Sequence, residues 1–516
     1  MRARLTAAAL LLALLAGCAA PAAQSDSAPL PTASEPEAPQ AQLPSGPSGP
    51  FGLAWDPAAG LNPYDCLALS NRTVLSLLYE PLFAVDASFT ATPYLCAQME
   101  SSGDGRTHTL TLREGVTFSD GTALTAADVA ASIRAAQNSD YYGDRLDLIS
   151  SVTATSDQTL TVTTSAACGS LDALLNIYVV QSGTVGDTAP VGTGPYRLSG
   201  ETLIRSDWWR GTAPVVDEPS ISLTAATTAT ELRDVFEYGD ATLACTDPNI
   251  GNYLAYHTDF ELWNNNTTVM QYVAFNRNSP VFAYQAIRAL VTWAVDRDAI
   301  VSSTANGFAT AAVLPASPFA AVYDSALAAE YDYDPDAVSA ALAAAGISDL
   351  SDGDGILDIY TDSGTQSLRG TLVVSGESEQ RVAAAQAVVD ALNGWGFDLS
   401  LRALAYDDYV SALRNGNYDL YYGEVRLSPD FDLGVFFDTD GNLSYGSIAD
   451  GEAAQLCARA RENEGNAYDL YRYVLEQGLL CPILFKTYAI YSDRGSVTGL
   501  TPCLDGVFLQ PFSDAN

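Results

Sequence analysis

The sequence predicts an α/β fold built on a mostly parallel sheet and divided between more than one lobe. Two observations carry this. Strand-like and helix-like patterns alternate along the chain, most clearly over residues 371–424. Residues 51–516, the part with a core-forming composition, are also more than one hydrophobic core sustains.

In chain order, the first residues read as an export leader. Arg2 and Arg4 form a basic head, and residues 5–16 are apolar apart from Thr6. That run is shorter than the roughly 20 residues a membrane span needs, and it has the layout of a signal peptide. Leu15-Ala16-Gly17-Cys18 then places a cysteine directly after small residues, as in a bacterial lipobox, where the thiol is acylated and becomes the new N-terminus. Residues 1–18 are therefore expected to be a lipoprotein leader with Cys18 as the lipidation site. Several acyl chains, at about 0.8 kcal/mol per buried CH₂, would hold the protein on the outer face of the membrane. An ordinary signal peptide with an incidental cysteine is the plainer alternative. Residues 19–50, rich in Ala, Pro, Ser, Gly and Gln, cannot bury enough surface to offset ordering entropy and are expected to be a flexible tether.

Within the folded part, residues 107–113 (THTLTLR) and 159–163 alternate as strands do. Thr125-Ala126-Ala127-Asp128 reads as a capping box that opens a helix to about Gln137. Ile287, Leu290, Val291, Ala294 and Val295 mark one face of a helix expected over 284–302. Asp334-Pro335 supplies an N-cap and a first-turn proline, and Gly346 closes that helix. Residues 371–424 then read strand (371–375), helix (378–393), strand (397–404), helix (406–414), strand (418–423). Ligands of such open sheets bind beyond the carboxyl ends of the strands, and 424–426 lie just past one.

Composition excludes several functions. With 24 basic against 62 acidic residues, the chain lacks the clustered Lys and Arg that nucleic-acid phosphates require. Seven cysteines besides Cys18 (66, 96, 168, 245, 457, 481, 503) are dispersed, and only His108 and His257 could join them as ligands. No metal site or cofactor is therefore expected, and several of these thiols are expected to be free and buried. No G-x-S-x-G, H-E-x-x-H or P-loop pattern is present, so an enzyme is not expected. The 352–358 loop (DGDGILD) has no EF-hand register and reads as a turn.

Six stretches, taken together, resemble the peptide/nickel-type ABC-transporter substrate-binding proteins (bacterial extracellular solute-binding proteins, family five). They are 79–83 (YEPLF), 111–129 (TLREGVTFSDGTALTAADV), 191–196 (VGTGPY), Phe275-Asn276 with 287–297 (IRALVTWAVDR), Ala345-Gly346 with the 352–355 loop, and 482–484 (PIL). The resemblance implies a periplasmic-binding-protein-like fold of type II. Lobe I would be 51–275, with an extra N-terminal subdomain at about 70–188. Lobe II would be 276–483, and 484–516 would return to lobe I. Crossings near 274–276 and 483–485 would form a two-segment hinge. It further implies a monomeric, extracytoplasmic receptor that captures an oligopeptide or similar solute and passes it to permease subunits. A sensor or adhesin on the same fold, or import of a non-peptide ligand, is the alternative.

In the peptide binders that this chain resembles, the ligand adds like a strand to short segments of both lobes. By position these would be Leu67, Ala68 and Leu69 on one side and Tyr421, Tyr422, Gly423 and Glu424 on the other. Where those binders carry an Asp for the peptide amino group, counting back from Pro429 finds Val425. Glu424 and Arg426 flank it, and a guanidinium prefers carboxylate or phosphate. Tyr421 and Tyr422 face either the cleft or the sheet core, and Leu67 to Leu69 serve either as a contact or as a structural loop. Trp293 is expected in the core.

Overall fold

The computed structural model describes residues 50–211, 214–250, 259–350, 353–361 and 364–509; the expected leader, Cys18 and the tether lie outside them. Among the described residues, eleven strands join in one sheet. They are β1 Gly52–Trp55, β2 Tyr196–Ser199, β3 Thr202–Arg205, β4 Ser220–Ala225, β5 Leu243–Thr246, β6 Phe260–Phe275, β7 Ala309–Ala311, β8 Arg369–Ser375, β9 Asp398–Leu404, β10 Leu420–Arg426 and β11 Leu480–Asp493. Their order is β2-β3-β4-β1-β5-β11-β6-β10-β8-β9, with β7 on β11.

The sheet is mixed rather than mostly parallel. Parallel ladders occur where helices carry the chain back, joining β1 to β4 and β5, and β8 to β9 and β10. The helices Glu379–Gly394 and Tyr406–Asn415 connect β8, β9 and β10 as the pattern predicts, and Leu372, Val373 and Val374 of β8 are fully buried. The strands that link the two parallel regions are antiparallel. β6 and β11 run side by side; β5 attaches to the C-terminal end of β11, and β10 to the C-terminal end of β6. This pair therefore carries one half-sheet at each end.

Register along β6 and β11 slips between Asn266 and Met270. The Thr267 hydroxyl donates to the Lys486 carbonyl (2.7 Å) and the Thr268 hydroxyl to the Leu427 carbonyl (2.6 Å). These side chains satisfy carbonyls where the ladder is interrupted. The register slip falls at 266–270, N-terminal to the expected crossing at 274–276, and Val269–Phe275 is engaged as a strand with β10.

A separate antiparallel sheet is formed by Cys96–Ser101, Thr107–Leu112, Thr159–Thr164 and Ile149–Ala154, adjacent in that order. Its alternating apolar face, Leu110, Leu112, Leu160 and Val162, belongs to the same continuous core as Leu53 of β1. The helix Ala126–Gln137 begins with both halves of the expected capping box in place. The single helix expected over 284–302 is two, Gln285–Ala294 and Arg297–Thr304. Asp296 caps the second, its carboxylate accepting from Ala299 N at 2.9 Å, so the polar residue inside the apolar stripe ends one helix and starts another. Trp293 stacks on Tyr331 (centroids 5.7 Å apart). The seven described cysteines are free and buried. No helix among the described residues is long and apolar enough to cross a membrane.

Candidate ligand-binding site

β10 is anchored by its first residues and free at its last. Leu420, Tyr421 and Tyr422 pair with β8 on one side and with β6 on the other, whereas residues 423–426 pair only with β6. Successive side chains leave on opposite faces. Tyr421 (1 % exposed) joins an aromatic group with Tyr272, Tyr418 and Tyr445. Tyr422 (1 % exposed) packs on the other face and donates its hydroxyl to Gln271 Oε1 at 2.9 Å. Both tyrosine side chains thus pack in the sheet, the second of the two placements the sequence left open. Gly423 lets Tyr272 lie across the strand, since a Cβ there would come within 2.5 Å of Tyr272 Cζ.

Glu424 enters a charged network at the junction of the two half-sheets. Its Oε2 accepts from Gln271 Nε2 (2.8 Å) and faces Lys486 Nζ at 3.4 Å, while Arg381 lies 3.9 Å from Oε1. Lys486, on β11, also pairs with Asp247 just beyond β5. Burial pushes the Glu424 pKa up, but Lys486 and Arg381, with the Gln271 hydrogen bond, outweigh it and hold the carboxyl below its ordinary value. Lys486 is held above its ordinary value despite burial, by Glu424 and Asp247. Glu424 is therefore committed to a cation of the protein.

Arg426 extends past this network to residues distant from it in the chain. Its guanidinium lies 4.5 Å from the Tyr141 ring centroid, and Arg72 lies 3.3 Å from the same ring. Asp505 accepts from Arg72 Nε (2.9 Å) and Nη2 (2.7 Å) and from the Tyr141 hydroxyl (2.6 Å). Burial would raise the Asp505 pKa; its pairing with Arg72 dominates and lowers it. Arg72 Nη1 also holds the Cys66 carbonyl at 2.8 Å, next to Leu67, which is 60 % exposed. One arginine thus tethers the Leu67 segment to the ring on which Arg426 rests. Ala68 is the N-cap and Leu69 the first residue of the helix Leu69–Leu78. The 67–69 segment is consequently a helix entry.

A second cluster surrounds a cavity of about 210 Å³, lined in part by Asp172, Asp430, Phe89, Phe431 and Glu464. Ser170 donates to Asp430 Oδ2 at 2.8 Å, and Phe89 meets Phe431 edge-on at 5.2 Å. Nearby Asp432 has its pKa pushed up to about 7 by burial, with Arg461 opposing and Asp430 adding to the rise. Among the described residues no three His, Cys, Asp or Glu side chains converge as a metal site.

Sequence reasoning missed Lys486, Gln271, Asp247, Arg72, Tyr141 and Asp505. One signal was available: Lys486 is the only lysine in the chain. Asp505 and Arg72 are 433 positions apart, and no local pattern links them.

Three comparisons bear on this arrangement. The family model for bacterial extracellular solute-binding proteins, family 5 Middle, matches residues 90–442. The glutathione-binding protein GsiB of Salmonella typhi is 27 % identical over 303 residues, 53 % of this chain and 57 % of GsiB; the chain spans a little over half the length of the curated relatives it matches. Among solved structures, the ABC transporter substrate-binding protein CtaP of Listeria monocytogenes aligns with a TM-score of 0.70 at 17 % identity, covering 89 % of this chain and 97 % of CtaP. The oligopeptide-binding protein AppA of Bacillus subtilis, solved with a nonapeptide, aligns at 0.58 and 19 % identity, over 86 % and 94 %. These likenesses show the fold, the type II periplasmic-binding architecture of mixed α/β.

Proposed function

This chain belongs to the bacterial extracellular solute-binding proteins, family 5, and from that premise we propose that it is the capture subunit of an ABC importer, binding an oligopeptide or similar small solute between two lobes. The lobes are the half-sheets at either end of β6 and β11, and the irregular stretch at 266–270 is their pivot. A ligand touching both lobes gains contacts only when they close, so it shifts an open–closed equilibrium by its differential affinity for the two forms. The permease then recognises the closed form. The protein acts outside the cytoplasm as a monomer, held to the membrane through lipidated Cys18.

The observation that carries this reading is the free edge of β10. Residues 423–426 pair with β6 alone, and their other edge offers backbone groups to an extended peptide. In this reading Leu67, an exposed apolar residue, and Ala68 meet the ligand from the opposite lobe. Tyr421 and Tyr422 contribute by fixing the strand.

Native mass spectrometry of gently purified protein tests the proposal, together with small-angle scattering on adding a pool of di- to pentapeptides. A co-purified small ligand, and a smaller radius of gyration with a stabilising peptide, are the expected results. A scattering profile that no peptide changes, or turnover of an added solute, would refute it. Cys18→Ser should abolish metabolic labelling by palmitate; retained labelling would refute the anchor.

A further inference from the structure

Arg72, Arg145 and Arg426 all lie against the Tyr141–Tyr142 pair, at 3.3, 4.7 and 4.5 Å from a ring centroid. One carboxylate, Asp505, serves this group, and its oxygens are taken by Arg72 and the Tyr141 hydroxyl. Arg145 spends one Nη on the Asn176 carbonyl, while its Nε is buried with no hydrogen-bond partner. Burial lowers the Arg145 pKa, the mark of a guanidinium short of compensating charge. Among the described residues no carboxylate ion-pairs with Arg426. The adjoining network is balanced, since Lys486 and Arg381 meet Asp247 and Glu424. A chain with a formal charge of −38 thus gathers three guanidiniums around one carboxylate.

Arg426 is also suitably presented. A guanidinium stacked on an aromatic ring keeps its N–H edge available for two parallel hydrogen bonds to a carboxylate. Its neighbour Tyr488, on β11, adds a phenol beside that edge. On β10 itself no carboxylate is left for an amine: Glu424 is paired with Lys486, and the next position is Val425.

We propose that the captured solute carries a carboxylate, that Arg426 receives it in a two-pronged pair, and that a free amino group is not required. This rests on the capture reading above and names the ligand class for that site.

The test measures thermal shift of the mature chain with two probe sets. N-acetyl dipeptides have a free carboxylate and no amine; dipeptide amides have a free amine and no carboxylate. The acetyl dipeptides should raise Tm, and the amides should bind about tenfold to a hundredfold more weakly, the range of a charge-assisted pair. Arg426→Ala, a change at an exposed position, should keep its ligand-free Tm and lose the preference. Arg426→Lys, which keeps charge without the fork, should fall between. Amides that bind as well as acids, or an Arg426→Ala variant that still prefers acids, would overturn the inference. If neutral sugars or polyamines raise Tm and no carboxylate does, capture stands and this inference falls. If sugar acids bind through Arg426 and no peptide does, this inference stands and the peptide falls. A flat response to every solute overturns both.

Discussion

Replacing Lys486 by methionine removes the only lysine of the chain from the junction of its two half-sheets. Lys486 is 4 % exposed, against 10 % for Asp247 and 21 % for Glu424. Breaking a buried pair by removing one partner costs about 3–5 kcal/mol, because the remaining charge stays buried. Glu424 keeps Gln271 and Arg381, whereas Asp247 loses the cation it faces, so about 3 kcal/mol is the fitting figure. Unfolding entropy of about 2.1 cal/mol/K per residue over residues 51–516 gives roughly 1 kcal/mol/K, so Tm should fall by about 3 °C. The effect depends on pH in a defined direction. In the native protein Glu424 titrates below its ordinary value, so the pair stabilises above that value and the benefit is lost as pH falls through the folded-state pKa. Protonating Glu424 removes the charge that Lys486 compensates. The Tm gap between Lys486→Met and wild type should therefore be larger at pH 7 than at pH 3, below the ordinary glutamate value. Calorimetry at both values measures it. A variant within 1 °C of wild type at pH 7, or a gap that widens towards pH 3, would refute the reasoning.

Three further outcomes are expected. Since Lys486 is the only lysine and is buried, intact-mass analysis after treatment with an amine-acetylating ester should show slow modification of its ε-amine, slower still with a stabilising solute; free-lysine rates in both states would remove it from a closing junction. Gly423→Ala should cost about 1–3 kcal/mol by overpacking against Tyr272, read as a lower denaturation midpoint with unchanged slope, and an unchanged midpoint would contradict the close approach. Asp432, with its pKa pushed up to about 7, should destabilise the native state increasingly as pH rises from about 4 to 7, because the unfolded chain releases its proton first; Asp432→Asn should flatten that fall in Tm, and an unaltered profile would count against it.

The local grammar of the chain was readable without coordinates. Thr125 and Asp128 form their capping box, Asp334-Pro335 starts its helix, and the β8-helix-β9-helix-β10 run lies where alternation places it. Each depends on interactions within a few residues or on periodicity along one element. Where a tertiary contact competed, sequence was ambiguous. Tyr421 and Tyr422 look equally suited to a cleft or a core, and the two sheet faces absorb both. Asp296 sits within an apolar stripe, and only its capped geometry shows that it divides a helix.

The sequence by itself determined an α/β chain of several elements, poor in metal ligands and resembling a solute-binding family, because composition, periodicity and short motifs are properties of the line. Tertiary structure alone decided which charges meet. Arg72 reaches Asp505 and Tyr141, and Arg426 reaches the same ring, only after β6 and β11 bring distant segments together. Coulomb energy and hydrogen-bond geometry depend on distance in space, and separation along the chain carries no record of it.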